Sequence, residues 1–260
     1  MLVKISVVIP VKNEESRLGR CLDVLKGWAD EIIIIDDHST DRTASIAARE
    51  YRARVVTRSL ANDWAQQRNA GADAARNDWV LQLDADEVVA PETAAALQGV
   101  LGKGSEARAY ALTRVNVLLG KPLVHCGADK RCVRLYDRRH AAWEGHVHEQ
   151  LRVSGTVGTI AAPIYHYPAD SVEHFLEKNL SYAKISAEQL LARQTEVPWK
   201  DVRCGLTSKA LKLFWKGYVK RRGYKDGMQG LVWCVLSVIT LQMYWLMVWQ
   251  KAAQGGKLKT

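Results

Sequence analysis

The chain has 260 residues, a formal net charge of +9 and 48% hydrophobic residues. This length allows one large domain or one domain with an appendage, and the apolar content is enough for a sizeable core. The five cysteines are odd in number and form no C-x-x-C pair, which argues against a disulfide framework and a zinc site and favours a reducing compartment.

The first part of the chain alternates predicted strands and helices. Apolar, β-branched runs predict strands over residues 5–11, 31–35, 55–57 and 79–83. Helical spacing predicts helices over 15–27, from a cap at Ser39 or Asp41 through Arg49, and over 62–76. We therefore expect an α/β fold with a mostly parallel sheet and helices on both faces. No signal peptide precedes the first strand, so the catalytic part is expected in the cytoplasm.

Polar clusters follow three of these predicted strands. They are Asn13-Glu14, Asp36-Asp37 and Asp84-Ala85-Asp86. The carboxyl ends of parallel strands meet at one edge of a sheet, and ligands bind at that edge. Chance could place one acidic cluster there, but three clusters predict a site.

The stretch Asp84-Ala85-Asp86-Glu87 puts three carboxylates directly after a buried strand. They repel each other and lose solvation there, and a divalent cation relieves both costs. Carboxylate oxygens suit Mg²⁺ or Mn²⁺, which usually complete their shell with substrate phosphates. The alternative is a solvated acidic turn that caps the helix expected to begin at Pro91.

The segments VVIPVKNEE, IIIIDDHSTD, QQRNAG and LQLDADE together resemble the family 2 glycosyltransferases, which have the GT-A fold. The match covers residues 4–91 closely. The resemblance implies a UDP-sugar donor, with Asp37 holding the uracil. It also implies a nucleoside pocket lined by Pro10, Val11 and Glu14.

The same resemblance assigns four further side chains. Asp84 would reach the ribose or a metal-bound water, and Asp86 would ligate a divalent metal, Mg²⁺ or Mn²⁺. Many GT-A enzymes place a metal-binding histidine after a late strand, and His166 is the candidate. Arg68 would lie near the nucleotide, and the alternative for Arg68 is a cation on a helix surface.

A second chemical cluster is Trp143-Glu144-Gly145-His146-Val147-His148-Glu149. Inverting glycosyl transfer needs a carboxylate that takes the proton from the acceptor hydroxyl. GT-A enzymes commonly hold this base in a Glu-Asp-like pair, and His148-Glu149 occupies that position here. Glu149 is therefore the predicted base, with Glu144 as the alternative. His146 and His148 are interpreted as positioning groups rather than ligands.

The second half continues with predicted helices over 91–101 and 170–194 and strands over 109–117, 134–136 and 157–163. Five basic residues lie close together in sequence, in and around the strand at 134–136. They could contact an acidic acceptor, but solvated side chains are the favoured interpretation. These residues are Lys130, Arg131, Arg134, Arg138 and Arg139.

The C-terminal region changes character. Residues 209–222 interleave basic side chains with Trp, Phe, Tyr and Leu, which suits an anionic membrane interface or nucleic acid. Residues 231–249 carry no charge and can just span a bilayer, which argues against nucleic acid. We favour a monotopic, membrane-embedded hairpin over a true span. The alternative is a helix packed on the catalytic domain or on a second copy in a homo-oligomer.

The predicted organisation is a GT-A catalytic domain over 1–168, a long helix and linker over 169–198 and a helical membrane-association region over 199–260. The segments RLYDRR, WEGHVHEQL, PIYHY and KGYVKRRGYKDGMQG resemble lipopolysaccharide inner-core β-1,4-glucosyltransferases. That resemblance implies inverting transfer of a hexose, glucose, from a UDP-sugar to a heptose of a lipid-linked saccharide, at the cytoplasmic face of the inner membrane. The alternatives are transfer to polyprenyl phosphate, a nucleotidyltransferase and a non-catalytic membrane-bound scaffold.

Overall fold

The computed structural model describes residues 3–61, 63–102, 104, 106–145 and 149–259, without the side chains of residues 128–130. The chain forms two compact units. Unit 1 comprises Met1–Arg114 and Asp129–His166, and unit 2 comprises Val115–Ala128 and Tyr167–Thr260. The three-part division expected from the sequence stays a prediction about domain organisation.

The strands and helices alternate over residues 5–82, as expected. The strands are β1 (Ile5–Val11), β2 (Glu31–Asp36), β3 (Arg54–Thr57), β4 (Trp79–Gln82), β5 (Glu87–Val89), β6 (Ala109–Leu118), β7 (Lys121–Pro122), β8 (Ala128–Asp137), β9 (Ala141–Glu144), β10 (Gln150–Val153), β11 (Val157–His166), β12 (Val197–Pro198) and β13 (Leu258–Lys259). The helices are α1 (Leu18–Asp23), α2 (Thr43–Tyr51), α3 (Trp64–Ala74), α4 (Pro91–Gly102), α5 (Val172–Arg193), α6 (Trp199–Leu206), α7 (Ser208–Phe214) and α8 (Met228–Gln254).

The main sheet has the strand order β3-β2-β1-β4-β8-β6-β11-β5. Strand β1 pairs in parallel with β2 and β4, and β2 pairs in parallel with β3. Strand β8 then joins β4 antiparallel, and β5 joins β11 antiparallel. The predicted α/β fold is confirmed, with its parallel strands on one side of a mixed sheet.

Strand β1 is buried on both faces, which explains its continuous β-branched sequence instead of an alternating one. On one face, Ile9 belongs to a core that includes Leu22 of α1 and Leu97 of α4. On the other face, Val8 belongs to a core that includes Ala72 of α3. Helices therefore cover both faces of the parallel strands, as the sequence predicted.

Helix α1 is shorter than the predicted helix over 15–27. The backbone N–H groups of the preceding loop donate to side chains that follow β2 rather than to a helical turn. Asn13 donates to Ser39 Oγ at 2.9 Å, and Glu14 donates to Thr43 Oγ1 at 2.8 Å. These bonds hold the loop after β1 against the start of α2, and the helix begins only at Leu18.

Helix α3 lies close to β1 because it carries a glycine at the contact. A Cβ atom on Gly71 would lie 2.2 Å from Val8 Cγ1, closer than two carbon atoms can approach. We expect Gly71→Ala to lower the free energy of unfolding by about 1–3 kcal/mol, as overpacking typically does. Urea denaturation of the purified protein measures this loss.

Gly99→Ala on α4 is the matched control, since a Cβ there meets nothing within 4 Å. Alanine should stabilise that helix by about 0.5–1 kcal/mol because it favours the helical backbone. Equal effects of the two substitutions would contradict the close contact at Gly71.

Unit 2 is mostly helical. Within it, α5 packs against α8, and Phe175 of α5 meets Trp233 of α8 edge to face. A π-helical turn (Trp215–Lys220) and a 3₁₀ turn (Gly223–Asp226) lie between α7 and α8. In the part of the chain that the structure describes, α8 alone is long and apolar enough to cross a membrane, and 17% of its most apolar stretch is buried.

Candidate active site

The predicted site residues follow adjacent parallel strands. Strands β2, β1 and β4 are neighbours in that order and run in one direction, so their carboxyl ends share one edge of the sheet. The backbone N–H of Asp37 donates to the carbonyl of Val11 at 2.9 Å, which aligns the ends of β2 and β1. Strands lie about 4.8 Å apart, so β2 and β4 are about 10 Å apart. One extended nucleotide diphosphate can bridge that distance.

Asp37 is buried at this edge, with 8% of its surface exposed. Its carboxylate accepts hydrogen bonds from Lys12 Nζ at 2.8 Å and from the backbone N–H of Leu60 at 2.9 Å. Burial alone would raise the pKa of Asp37, but these hydrogen bonds outweigh burial and lower the pKa below its ordinary value. Asp37 is therefore an ionised acceptor at neutral pH.

The other residues predicted for the nucleoside pocket lie beside Asp37 in the fold. Pro10 and Val11 are buried at the end of β1, the strand next to β2. The Glu14 carboxylate forms an ion pair with Arg17 Nη2 at 2.7 Å, so its side chain is held at the start of α1.

Asp84 lies between two arginines. Its Oδ1 accepts from Arg68 Nη2 at 2.9 Å, and its Oδ2 accepts from Arg134 Nη2 at 2.8 Å. Burial acts to raise the pKa of Asp84, but the charges of Arg134 and Arg68 lower it well below the ordinary value. Each carboxylate oxygen keeps a further lone pair that could accept from a substrate hydroxyl.

Glu87 is the buried partner of this cluster, with no exposed surface. It accepts from Arg134 and from the backbone N–H of Asp84. Burial raises the pKa of Glu87 above its ordinary value even though Arg134 opposes that rise. The acidic stretch is thus a paired, largely desolvated cluster, and the alternative of a solvated turn is wrong.

The favoured interpretation of Arg134 as a solvated cation is also wrong, because this residue is 6% exposed. Its guanidinium pairs with Asp84 and Glu87. The missed signal was a charged residue within a predicted strand, directly next to the apolar pair Leu135 and Tyr136. Such a residue is rarely buried without a partner. Arg139 by contrast pairs with Asp78 and Asp137 and stays half exposed.

We expect Arg134→Met to destabilise the protein by about 3–5 kcal/mol at pH 7, because Glu87 would keep a buried charge with its main partner lost. Burial raises the folded-state pKa of Glu87 above the unfolded value. The contribution of Glu87 to stability is therefore greatest below its ordinary pKa and falls as pH rises through the folded pKa. The loss in free energy of unfolding caused by Arg134→Met should be larger at pH 7 than at pH 5, and urea denaturation measures it.

A second substitution tests that explanation. Arg134→Met combined with Glu87→Gln removes both charges, so it should recover part of the lost stability and abolish most of the difference between the losses at pH 7 and pH 5. A deficit that is the same at both pH values would contradict the role assigned to Glu87.

Arg68 is buried, with 6% of its surface exposed, so the alternative of a surface cation is wrong. Its Nε donates to Glu149 Oε1 at 3.2 Å, and its guanidinium lies 4.9 Å from the ring centre of Trp143. Among the described residues its Nη1 has no hydrogen-bond partner. Arg68 thus links Asp84 to the predicted base and keeps one buried donor available for a ligand.

Helix α3 also holds strand β9, which precedes Glu149 in the sequence. The Asn69 side chain donates to the carbonyl of Trp143 and accepts from its backbone N–H, both at 2.9 Å. This pair ties α3 to β9. Glu149 follows β9 and meets Arg68, whereas Glu144 is exposed and pairs with Arg152 on the β9–β10 hairpin.

The predicted positioning groups His146 and His148 lie outside the described residues. Of the two carboxylates considered for the base, Glu149 alone is in contact with the Arg68 and Asp84 cluster in the described part of the chain. The geometry therefore favours Glu149 over Glu144 as the predicted base.

Asp86 and His166 meet through strand pairing. Strand β5 follows Asp86 directly and pairs with β11, with Glu87 opposite His166. The distance from Asp86 Oδ2 to His166 Nε2 is 3.4 Å, and both side chains are largely shielded from solvent. A carboxylate oxygen and an imidazole nitrogen are suitable donors for Mn²⁺ or Mg²⁺.

Within the described ranges, no group of three or more His, Cys, Asp and Glu side chains is arranged around one point as a metal cage would be. A metal that travels with a nucleotide needs fewer protein ligands because phosphate oxygens and water complete its shell. Asp86 and His166 fit that requirement. Asp84 does not fit a direct ligand, because both of its oxygens are bound by arginines.

Sequence comparison finds one matching family model and several relatives of this chain. Residues 6–116 match the model of glycosyl transferase family 2. An uncharacterized glycosyltransferase of Rickettsia bellii is 26% identical over 244 residues, which is 88% of this chain and 80% of the relative. The lipopolysaccharide core biosynthesis glycosyltransferase LpsC of Rhizobium meliloti is 28% identical over 193 residues, 71% of each chain.

Two solved structures are also similar to this chain. The glucosyl-3-phosphoglycerate synthase of Mycobacterium tuberculosis, in complex with Mn²⁺, UDP and glucosyl-3-phosphoglycerate, is 27% identical over 43% of this chain and 44% of that chain, with a TM-score of 0.36. TarS 1–349 of S. aureus in complex with UDP is 14% identical over 98% of this chain and 92% of that chain, with a TM-score of 0.48.

Proposed function

We propose that this chain is a glycosyltransferase that moves a hexose, glucose, from a UDP-sugar to a lipid-linked saccharide, and the match of residues 6–116 to the model of glycosyl transferase family 2 supports this proposal. The acceptor would be a heptose of the lipopolysaccharide inner core, and transfer would invert the anomeric centre. The observation that carries the proposal is the row of ionised carboxylates at the ends of β2 and β4, with the Asp86–His166 pair beside it.

The donor is proposed to lie along this row. Asp37 would accept from the uracil ring N–H, since its ionised carboxylate retains acceptor capacity beside Lys12. Asp84 would accept from a ribose hydroxyl. The unpartnered Nη1 of Arg68 would donate to an oxygen of the donor, which removes the cost of a buried and unsatisfied donor.

Asp86 and His166 would hold the divalent cation. When bound, the cation would neutralise charge on the leaving diphosphate. The chain's own contribution is to keep both side chains shielded from solvent and in contact, at 3.4 Å, through the pairing of β5 with β11. Shielding strengthens electrostatic interactions at this position.

Glu149 is proposed to take the proton from the acceptor hydroxyl at a carboxylate oxygen. Its Oε1 is held by Arg68, so the carboxylate has a fixed orientation and its Oε2 is the candidate proton acceptor. The contact also couples the base to the donor site, because the same guanidinium binds Asp84.

The acceptor assignment draws support from LpsC, whose name places that relative in lipopolysaccharide core biosynthesis. We propose that the enzyme works at the cytoplasmic face of the inner membrane as a peripheral or monotopic protein. The long apolar helix α8 supports this location. So do the large exposed side chains Leu211, Trp215 and Val219, which recur every fourth residue next to basic residues.

Transfer to polyprenyl phosphate is the second candidate, and the ion pair between Glu149 and Arg68 is the observation that favours it. A phosphate acceptor is already an anion and needs no base, and a carboxylate committed to an arginine would then be purely structural. The two candidates differ in their acceptor and in their need for Glu149.

The test is a donor and acceptor screen that measures release of free UDP. Purified protein is incubated with Mn²⁺ and UDP-glucose, UDP-galactose or UDP-N-acetylglucosamine, with core lipopolysaccharide or polyprenyl phosphate as acceptor. We expect UDP release that requires both the metal and the core acceptor. Release of pyrophosphate would instead indicate a nucleotidyltransferase, and no release with any pair would refute sugar transfer from UDP.

A further inference from the structure

Unit 2 contains a cavity of about 210 Å³ between the segment before the 3₁₀ turn and helix α8. Its lining includes the cations Lys216 and Arg221 and, from α8, Trp233 and Ser237. Trp233 supplies an aromatic wall and Ser237 a hydroxyl group. The cavity thus combines positive charge, an apolar surface and a polar group, which is the composition of a ligand site.

The π-helical turn brings the two cations to the cavity. The backbone N–H of Arg221 donates to the carbonyl of Lys216 at 2.9 Å, a bond across five residues that an α-helix does not form. Such turns are rare and frequently occur at functional sites. A Cβ on Gly217 would lie 3.0 Å from Cys234 Sγ, so the glycine lets the turn approach α8 closely.

Neither Lys216 nor Arg221 forms an ion pair with any residue that the structure describes. The buried carboxylate near the cavity wall is Asp226, which accepts from the backbone N–H groups of His125 and Cys126. Its side chain does not line the cavity. Two cations that share a cavity with no counter-charge favour an anion with several oxygens.

The neighbouring surface indicates the source of that anion. Leu211, Trp215 and Val219 recur at intervals of four residues on the same segment as Lys216, and all three are exposed. Apolar side chains next to unpaired cations match the boundary between acyl chains and headgroups. A soluble anion would not require such a stripe.

We propose that this cavity binds the phosphate group of a membrane lipid. Lys216 and Arg221 contact the phosphoryl oxygens, and the Trp233 ring packs on the glycerol carbons. The site is made from residues other than those of the transfer site. Its test measures binding, so the proposal goes beyond the proposed glycosyl transfer and does not depend on it.

The first experiment titrates the full chain with dihexanoylphosphatidic acid, below its micelle concentration, by calorimetry. We expect one lipid per protein, and we expect Lys216→Gln with Arg221→Gln to weaken binding by about tenfold or more, because two charge-assisted contacts are lost. The control is Lys212→Gln with Lys220→Gln, which removes the same charge from the same segment at two residues that do not line the cavity. The Kd of this control variant for the lipid should stay within about twofold of the value for the unchanged protein. Equal weakening by both pairs would overturn the site.

The second experiment separates the cavity from its charge. Ser237→Leu fills the cavity without removing a cation and should weaken binding by about tenfold, and circular dichroism and the Tm establish that it folds. If this variant does not fold, the two charge pairs decide the question. Inorganic phosphate is titrated as the free-anion arm. Phosphate binding as tight as that of the lipid would overturn the lipid assignment.

Discussion

Asp86→Asn is expected to lower the rate of UDP release by about 10³-fold or more while leaving the fold intact. Asparagine keeps the size of the side chain but removes the charged ligand that the proposed cation needs, and Lewis-acid stabilisation is worth several kcal/mol. The contact between the Asp86 carboxylate and His166 Nε2, at 3.4 Å, is altered at the same time. The measurement is UDP release at saturating UDP-glucose and Mn²⁺, together with calorimetric binding of Mn²⁺ in the presence of UDP.

The matched control is Asp73→Asn, which removes a carboxylate from the exposed part of α3. It should keep activity within about twofold, as surface substitutions usually do. His166→Asn should show a smaller loss than Asp86→Asn because it removes a neutral ligand rather than a charged one. Near-normal activity of Asp86→Asn would remove Asp86 from the metal site and refute the proposed role of the cation at this position.

Glu149→Gln is expected to lower kcat by about 10²–10⁴-fold, the usual contribution of a general base. Glutamine can still accept the hydrogen bond from Arg68 Nε, so the position of Arg68 and its contact with Asp84 should be kept. UDP affinity should therefore change little. Steady-state kinetics with the core acceptor, and calorimetric binding of UDP, separate these two effects.

The control for this variant is Glu144→Gln, since Glu144 pairs with Arg152 on the exposed hairpin and makes no described contact with the Arg68 cluster. It should retain most activity. Full activity of Glu149→Gln with the core acceptor would contradict the base assignment. Full activity with polyprenyl phosphate alone would favour that acceptor instead.

Much of unit 1 was predictable from the sequence because its strands are unambiguous. Strand β1 was predicted with its observed ends, since a β-branched run buried on both faces has no competing interpretation. The ends of β2 and β4 were predicted to within a residue for the same reason. The common edge of Asp37 and Asp84 then follows from parallel pairing alone.

Contacts between distant strands were not predictable in the same way. Arg134 lies 50 residues after Asp84, and Arg68 and Glu149 are 81 residues apart in sequence. Nothing in their local patterns specifies these pairings, which depend on the order β4-β8 and on the packing of α3 against β9. Strand β5 was missed because the sequence Asp84-Ala85-Asp86-Glu87 is typical of an acidic turn. In the fold, Glu87 is buried in β5, and its ion pair with Arg134 compensates for that burial.

The pairing of β5 with β11 has a consequence for protein engineering. Glu87 stands opposite His166, so the two proposed metal ligands are correctly spaced only in that register. Deleting one residue from Val88–Val89 would shift the pairing by one step and turn alternate side chains to the opposite face. Chimeras that exchange acceptor specificity between related enzymes should therefore keep Asp86–Val89 and Ile164–His166 from a single parent.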